Sequence, residues 1–482
     1  MTTTSDPAAR PLPQTITPLD PLRGPRHRPP PAQGSTWALL RPVMLRVHFF
    51  AGVLVAPFLA VLCVTGLLYV FSPQLSDLVY QDRFFVNEPG NAPRPLADQV
   101  AAALAATPGA SLSAVEPATA PDRTTKVALS LPGLAEGQTR AVYVNPYTAD
   151  VQGSLTFAHS EPPLQAMLRD LHGDLLLGDV GRLYSEFAAS WLPVLVIGGL
   201  ALWWSQRRTK RRARALLLPP TGVRPGRGRI RGWHGSVGVW LTVALLFISA
   251  TGLTWSQYAG GRFETVITAL DGRSAKLAAD PVEGTGQMIS VDRALASARA
   301  AGLSEPVTIT APDEPGAPYT VAENSPSLPI QRDQVAVHPY TGRVSEQVNW
   351  SDNGPLAKLT TIGIRAHTGT LFGLVNQLAL ASMALGLLAM LCWGYRMWWL
   401  RRPTRATAAT GAPAPRGELA KLPRPVLLVI VVVTAGLGWL IPLLGISLLL
   451  FLAADQIWTR IKQRQSPPTE ALAETPVLNG QR

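Results

Sequence analysis

The chain has 482 residues, 47% of them hydrophobic and only 15% charged, with 43 Lys and Arg against 31 Asp and Glu. Soluble domains carry roughly 25% charge, so this balance, with positive mean hydropathy, points to a bilayer. Two cysteines exclude a disulfide scaffold, a cysteine-ligated cluster and covalent CxxCH haem attachment.

Residues 1–40 are Pro-rich, basic and aperiodic, which predicts a disordered cytoplasmic tail. Leu45–Phe71 carries charge-bearing groups only near its start, at Arg46 and His48, while Phe187–Gln206, Gly235–Gly261 and Leu371–Tyr395 contain no Asp, Glu, Lys or Arg. Each reaches the roughly 20 apolar residues that cross a bilayer core, and a lone strand there would leave its backbone unpaired. Four spanning helices are therefore expected at 41–71, 187–206, 235–261 and 371–400. The stretch 425–455 holds a Gly-Trp-Leu-Ile-Pro break at 438–442. It is one long tilted helix or a hairpin, and basic residues on both flanks (401–424 and 456–482) favour the hairpin.

Charge sets the orientation. The segment 205–235 has ten Lys or Arg and no acid, whereas 72–186 has 13 acids against 7 bases and 258–370 has 12 against 9. The basic loop (207–234) belongs in the cytoplasm and the two acidic loops (72–186 and 262–370) face outward. The basic excess is thus a topology signal, and no nucleic-acid partner is expected.

Several landmarks recur in order. His48 is followed by Thr65-Gly66 and His234 by Thr251-Gly252, each 17 residues on. Val144-Asn145-Pro146-Tyr147-Thr148 matches Val337-His338-Pro339-Tyr340-Thr341, His172 matches His367, and Trp203-Trp204 matches Trp398-Trp399. The last two pairs share one offset of 195 residues. This predicts an internal duplication with parallel halves. Each outward loop reads as α+β: a helix at 96–105 with strands near 111–117, 125–131, 141–145 and 151–157, then a helix near 290–301 with strands near 305–311, 318–323, 334–338 and 343–349. The Asn/His-Pro-Tyr-Thr turns are structural. Tryptophans 203, 204, 398 and 399 read as interface anchors.

Seven histidines are present. His27, His159 and His338 have no counterpart histidine, whereas His48 with His234 and His172 with His367 form two duplicated pairs, one at each membrane face. A single interfacial histidine is ordinarily a headgroup-level polar residue, but recurrence in both halves argues for a role. Facing imidazoles on neighbouring helices form a bis-histidine site for b-type haem, and two such sites make an electron path across the membrane. Zinc fits less well, because it takes four ligands and the spans offer no acid. Cys63 and Cys392 read as packing residues. Arg46 and Arg231 on one face, and Arg169 and Arg365 on the other, lie two or three residues before a histidine and are candidates for haem propionates. The nearby glycines (Gly52, Gly173, Gly235, Gly238, Gly369, Gly373) and the Thr-Gly pairs read as helix packing.

The duplicated His-x16-Thr-Gly helices, the Pro-Tyr-Thr turns and Leu171-His172-Gly173-Asp174-Leu175-Leu176-Leu177-Gly178 resemble the PepSY-associated transmembrane family of iron-regulated inner-membrane proteins, over roughly residues 41–455. The sequence departs from the pattern at Ala366-His367-Thr368. The resemblance implies a Gram-negative inner-membrane location and periplasmic PepSY domains. It also implies, as in some relatives, haem-dependent reduction of ferric siderophores, and it carries over His48, His172, His234 and His367 as haem-ligand candidates.

The expected protein is an α-helical polytopic membrane protein, internally duplicated, with two periplasmic α+β PepSY-like domains. It holds two b-type haems on bis-His ligands and passes electrons to a ferric siderophore or other iron chelate. The rival is a non-redox, membrane-tethered PepSY module that binds a protein or peptide. A chelate permease is disfavoured by spans without charges or broken helices. No nucleotide-binding motif identifies the electron donor, and no residue of a chelate pocket can be named.

Overall fold

In the computed structural model the described residues are 36–207, 213–219, 222–283, 286–325, 330–401 and 421–465. The tail expected over 1–40 lies mostly outside them, as does most of the 401–424 linker.

The elements run α1 (Thr36–Val70), α2 (Ser72–Val79), α3 (Gln81–Phe84), α4 (Leu96–Ala105), β1 (Ser111–Glu116), β2 (Thr125–Ser130), β3 (Gln138–Val144), β4 (Val151–Ala158), α5 (Pro163–Asp174) and α6 (Asp179–Arg207). After a short α7 (Ala213–Leu217) the order recurs: α8 (Arg227–Leu253), α9 (Tyr258–Ala269), α10 (Val291–Ala300), β5 (Val307–Thr310), β6 (Tyr319–Glu323), β7 (Gln334–Val337), β8 (Val344–Val348), α11 (Pro355–Thr368) and α12 (Leu374–Trp399). Two more helices close the chain, α13 (Arg424–Leu440) and α14 (Pro442–Gln465).

Helices α1, α6, α8 and α12 are long and apolar enough to cross a membrane. They form a ring in that order, each packing on its two neighbours, so α1 faces α8 across the diagonal. Chain connectivity puts the sheet at one end of the ring and the basic loop at the other. The third span ends at Leu253, earlier than the expected 261. There the Thr254 and Ser256 hydroxyls bond back to helix carbonyls, and Glu186 of α6 accepts from the Tyr258 and Ala259 amides at 3.0 and 2.9 Å, which starts α9 instead.

The two α+β segments are expected as separate domains, but they form one sheet. Its strand order is β4-β3-β2-β1-β5-β6-β7-β8, joined at the centre by antiparallel pairing of Val115 with Ile309. Alternating burial along β2 and β6 turns one face to α4 and α10. Val115, Val127, Ile309 and Val321 are fully buried there in a core drawn from both halves. Burying each such side chain contributes about 1.5–3 kcal/mol. The second half also caps a helix of the first. Pro95, before α4, offers no side-chain acceptor, and Asp292 of the second half accepts from the Leu96 and Ala97 amides at 2.7 and 2.9 Å. At the matched turns, Asn145 Oδ1 accepts from the Tyr147 amide at 2.9 Å and His338 Nδ1 accepts from the Tyr340 amide at 3.2 Å. His338 thus does with an imidazole what Asn145 does with an amide.

The C-terminal stretch breaks into two helices at Ile441-Pro442, where proline removes a backbone donor. Trp439 lies beside Arg262 of α9 at the sheet end, Ser447 accepts from Trp191 of α6 at 2.9 Å, and Asp455 pairs with Arg46 near the start of α1. Helix α14 therefore runs along the bundle from one end to the other. Trp203 is 6% exposed, packed on Gly235 and bonded to the Leu216 carbonyl at 3.0 Å, so it is a packing residue and not the expected interface anchor. Trp204 and Trp399 are exposed.

Candidate functional site

Each of the four duplicated histidines comes from a predictable place. His48 lies in α1 and His234 in α8, near the basic-loop end. His172 and His367 lie in the last turns of the short helices α5 and α11, whose left-handed C-caps at Leu175 and Gly369 turn the chain into the following spans.

The first pair meets. The His48 and His234 ring centres are 6.4 Å apart with planes at 84°. They come from α1 and α8, the diagonal helices of the ring, and so face each other across its interior. His172 lies within electrostatic reach of His367 at the other end. Histidines 27 and 159 belong to neither pair. His27 is outside the described residues, and the His159 ring contacts Arg169 at 2.6 Å.

Hydrogen bonds fix how the rings present themselves. Thr65 Oγ1 donates to the Val61 carbonyl at 2.9 Å, which leaves its lone pairs for His172 Nδ1 at 3.0 Å. Thr251 does the same, donating to the Phe247 carbonyl at 2.9 Å and meeting His367 Nδ1 at 2.7 Å. In each case Nδ1 carries the proton and the Nε2 lone pair is free. The Met390 carbonyl sets the same tautomer for His234 at 3.0 Å. His48 Nδ1 is buried and lacks a hydrogen bond. Such outer contacts orient an imidazole that serves as a metal ligand. Burial favours the neutral ring at the sheet end. It pushes His172 down to about 4 and His367 down to about 3, the latter helped by the His172 charge.

Every one of the four rings also lies on a glycine of its own half. A Cβ at Gly199 would come within 2.9 Å of His48 Cε1, at Gly66 within 3.1 Å of His172, at Gly252 within 3.4 Å of His367, and at Gly394 within 4.0 Å of His234. The Thr-Gly pairs, read as helix packing, are thus the histidine supports. Gly199 and Gly394 were not singled out in the sequence, although they share the 195-residue offset of the histidine and tryptophan pairs. The glycines next to the histidines in sequence pack elsewhere, Gly235 under Trp203 and Gly238 near Met390.

The candidate arginines divide. Arg46 pairs with Asp455, and Arg169 pairs with Glu161 at 3.0 Å and Asp170 at 2.9 Å. Arg231 is exposed. Arg365 is 8% exposed, close to His367. Cys63 is buried in the bundle, and no group of three His, Cys, Asp or Glu side chains gathers among the described residues. The two rings that meet are those of His48 and His234.

A haem fits this donor set. Two imidazoles on one metal, each at about 2 Å, put their ring centres roughly 6 Å apart, close to the separation of His48 and His234. Neutral rings with a free Nε2 at the sheet end, and Gly199 and Gly66, where a methyl would crowd His48 and His172, suit axial ligation.

The family model for the PepSY-associated TM region matches residues 45–401. The chain belongs to this family and is a multi-pass membrane protein. Among curated proteins, none matches it.

Proposed function

We propose that this protein is an internally duplicated haem protein of a bacterial inner membrane that passes single electrons to ferric chelates in the periplasm. The observation that carries the reading is the His48–His234 pair, one ring from each half, 6.4 Å apart across the interior of the bundle. The repeated Thr–His contacts at the sheet end support a second site. By the positive-inside rule the basic loop faces the cytoplasm and the sheet faces the periplasm.

His48 and His234 would hold one haem and His172 and His367 the other, and the haem supplies one-electron redox chemistry when bound. Thr65, Thr251 and the Met390 carbonyl hold protons on Nδ1, so the ligand nitrogens stay unprotonated. The 17 residues from His48 to Thr65 span roughly 25 Å of helix, which separates the two levels by most of a bilayer core. The surrounding helices keep water from the path. Reducing Fe(III) to Fe(II) loosens its hold by hard oxygen chelators, which gives the sheet end a reason to receive a siderophore. The electron enters from a separate donor on the basic-loop side.

The test is absorbance of the full-length protein purified in detergent after haem-supplemented expression. The reading requires a Soret band that shifts on dithionite reduction, and re-oxidation by a ferric siderophore. A colourless, folded protein would overturn it in favour of a non-redox tether that binds a protein or peptide.

A further inference from the structure

The segments that lead into α4 and α10 pass near the two outer edges of the sheet in matching ways. Val86 donates to the Asp122 carbonyl at 2.8 Å and Val282 to the Gly316 carbonyl at 2.9 Å, each acceptor lying three residues before a strand, β2 or β6. Three residues before Val86 stands Arg83, and three before Val282 stands Ala279. In the ladders, Gly153 of β4 is opposite Tyr143, and Glu346 of β8 is opposite Ala336. Arg83 lies on Gly153, where a Cβ would sit 3.1 Å from its Nε and 3.3 Å from its Cγ and Cδ. Asp82 meets its charge at 3.8 Å. The first half thus covers its edge strand with an aliphatic stem and a guanidinium of its own.

The second half has the acids and lacks the cation. The cavity there, about 300 Å³, is at the lower end of the sizes that hold small molecules. Asp280 and Glu346 border it, and Ala279, Val282 and Pro318 give it an apolar wall. Glu346 Oε2 accepts from the Ala278 amide at 2.7 Å, which ties the carboxylate to the segment that carries Asp280. Among the described residues neither acid has an ion-pair partner. His338 lines the cavity too, with Nδ1 taken by the Tyr340 and Thr341 amides at 3.2 and 3.3 Å. Carboxylates bind an ammonium or guanidinium through charge-assisted hydrogen bonds, and the stem of such a group lies along apolar surface.

We infer that this cavity binds the cationic end of a small organic molecule, an alkylguanidinium or alkylammonium group, in the place that Arg83 fills in the first half. Asp280 and Glu346 take the charge, and the alanine and proline wall takes the stem. The cation has two possible sources. One is a free organic amine. The other is an amine arm on the incoming ferric chelate, which rests on the function proposed above.

The test uses full-length wild type, Glu346→Gln, Asp280→Asn and Ala279→Arg in detergent, titrated by calorimetry with butylguanidinium, with its uncharged counterpart butylurea and with calcium. Wild type should bind butylguanidinium and not butylurea. Glu346→Gln and Asp280→Asn should each weaken binding about ten- to a hundredfold, the range for losing a charged hydrogen bond. Ala279→Arg supplies the side chain from within, so it should abolish binding and raise the Tm. Asp280→Asn, at an exposed position, keeps the test open if Glu346→Gln fails to fold. Butylguanidinium that does not bind, binds no better than butylurea, or binds both acid variants as it does wild type overturns the inference, as does calcium binding that excludes it. Re-oxidation of the dithionite-reduced protein then separates the sources. A chelate with an amine arm should show a lower KM than its N-acetylated form in wild type and not in Glu346→Gln if the arm is the ligand, whereas equal KM values assign the cavity to a free amine. A protein that binds no haem defeats the proposed function, and the butylguanidinium titration still decides the cavity.

Discussion

In the first half, the sheet face turned away from α4 is filled by Phe84, Tyr143 and Phe157, with Phe84 and Tyr143 ring centres 5.0 Å apart. In the second half Ala336 stands at the place of Tyr143. Ala336 is fully buried, and a cavity of about 300 Å³ lies elsewhere in this half, bordered by Asp280, His338 and Glu346. The arginines diverge as well. Arg169 has Glu161, whereas Leu356 stands at the 195-residue offset from Glu161. What the halves keep in common is the histidine, threonine and glycine set. The residues around the histidines are matched between the two segments, whereas the sheet faces differ, one filled by aromatic rings and the other by smaller side chains.

The largest effects should fall on the matched set. His48→Ala and His172→Ala are each expected to lower bound haem from about two per chain to about one, and the double variant to abolish it. His159→Ala and His338→Ala should leave the ratio unchanged, measured by haem-to-protein absorbance. Equal loss from either of these would dissolve the distinction between paired and unpaired histidines.

Tyr143→Ala should destabilise the sheet by about 3–5 kcal/mol, the range for emptying a buried aromatic site. Ala336→Gly, the loss of one buried methyl, should cost far less, and thermal melts compare them. Thr65→Val removes the acceptor for His172 Nδ1 and should weaken haem binding at the sheet-end site about ten- to a hundredfold, as loss of an outer-shell partner does. Thr251→Val should act equally if the halves share that site.

Glycine substitutions sharpen the comparison further. Gly199→Ala drives a methyl to 2.9 Å from His48 and should cost about 1–3 kcal/mol of overpacking, whereas Gly394→Ala meets His234 at an ordinary 4.0 Å and should be mild. Haem titrations of the two variants read the difference directly.

The smallest effect concerns pH. Buried His172 and His367 stay neutral down to about 4 and about 3. Unfolded histidines take up protons near pH 6.5, so below that value the unfolded chain binds more protons than the folded one. Stability of the haem-free protein should fall as pH drops from about 6.5 toward 4, and His172→Gln should flatten the slope. A stability that rises over that window would contradict burial of the neutral ring.

Much of the architecture was legible in the chain itself. Apolar length located the four long helices, β-branched runs between turn breakers located the strands to within a few residues, and the breaker at 438–442 marked the turn between α13 and α14. The four histidines stood out because they recur at fixed spacing. Thr65 and Gly66 recurred with them, but their role as supports, like that of Gly199, was not legible, because it arises only from neighbours on other helices.

Local physics is therefore what the sequence by itself determined: hydropathy over about 20 residues decides a span, alternation decides a strand, and recurrence marks the histidines. Tertiary structure alone decided that the two α+β segments share one sheet through β1 and β5, that diagonal helices bring His48 to His234, and that Asp292 caps a helix 195 residues away. Contacts between distant segments depend on how whole elements pack, and no window along the chain contains both partners.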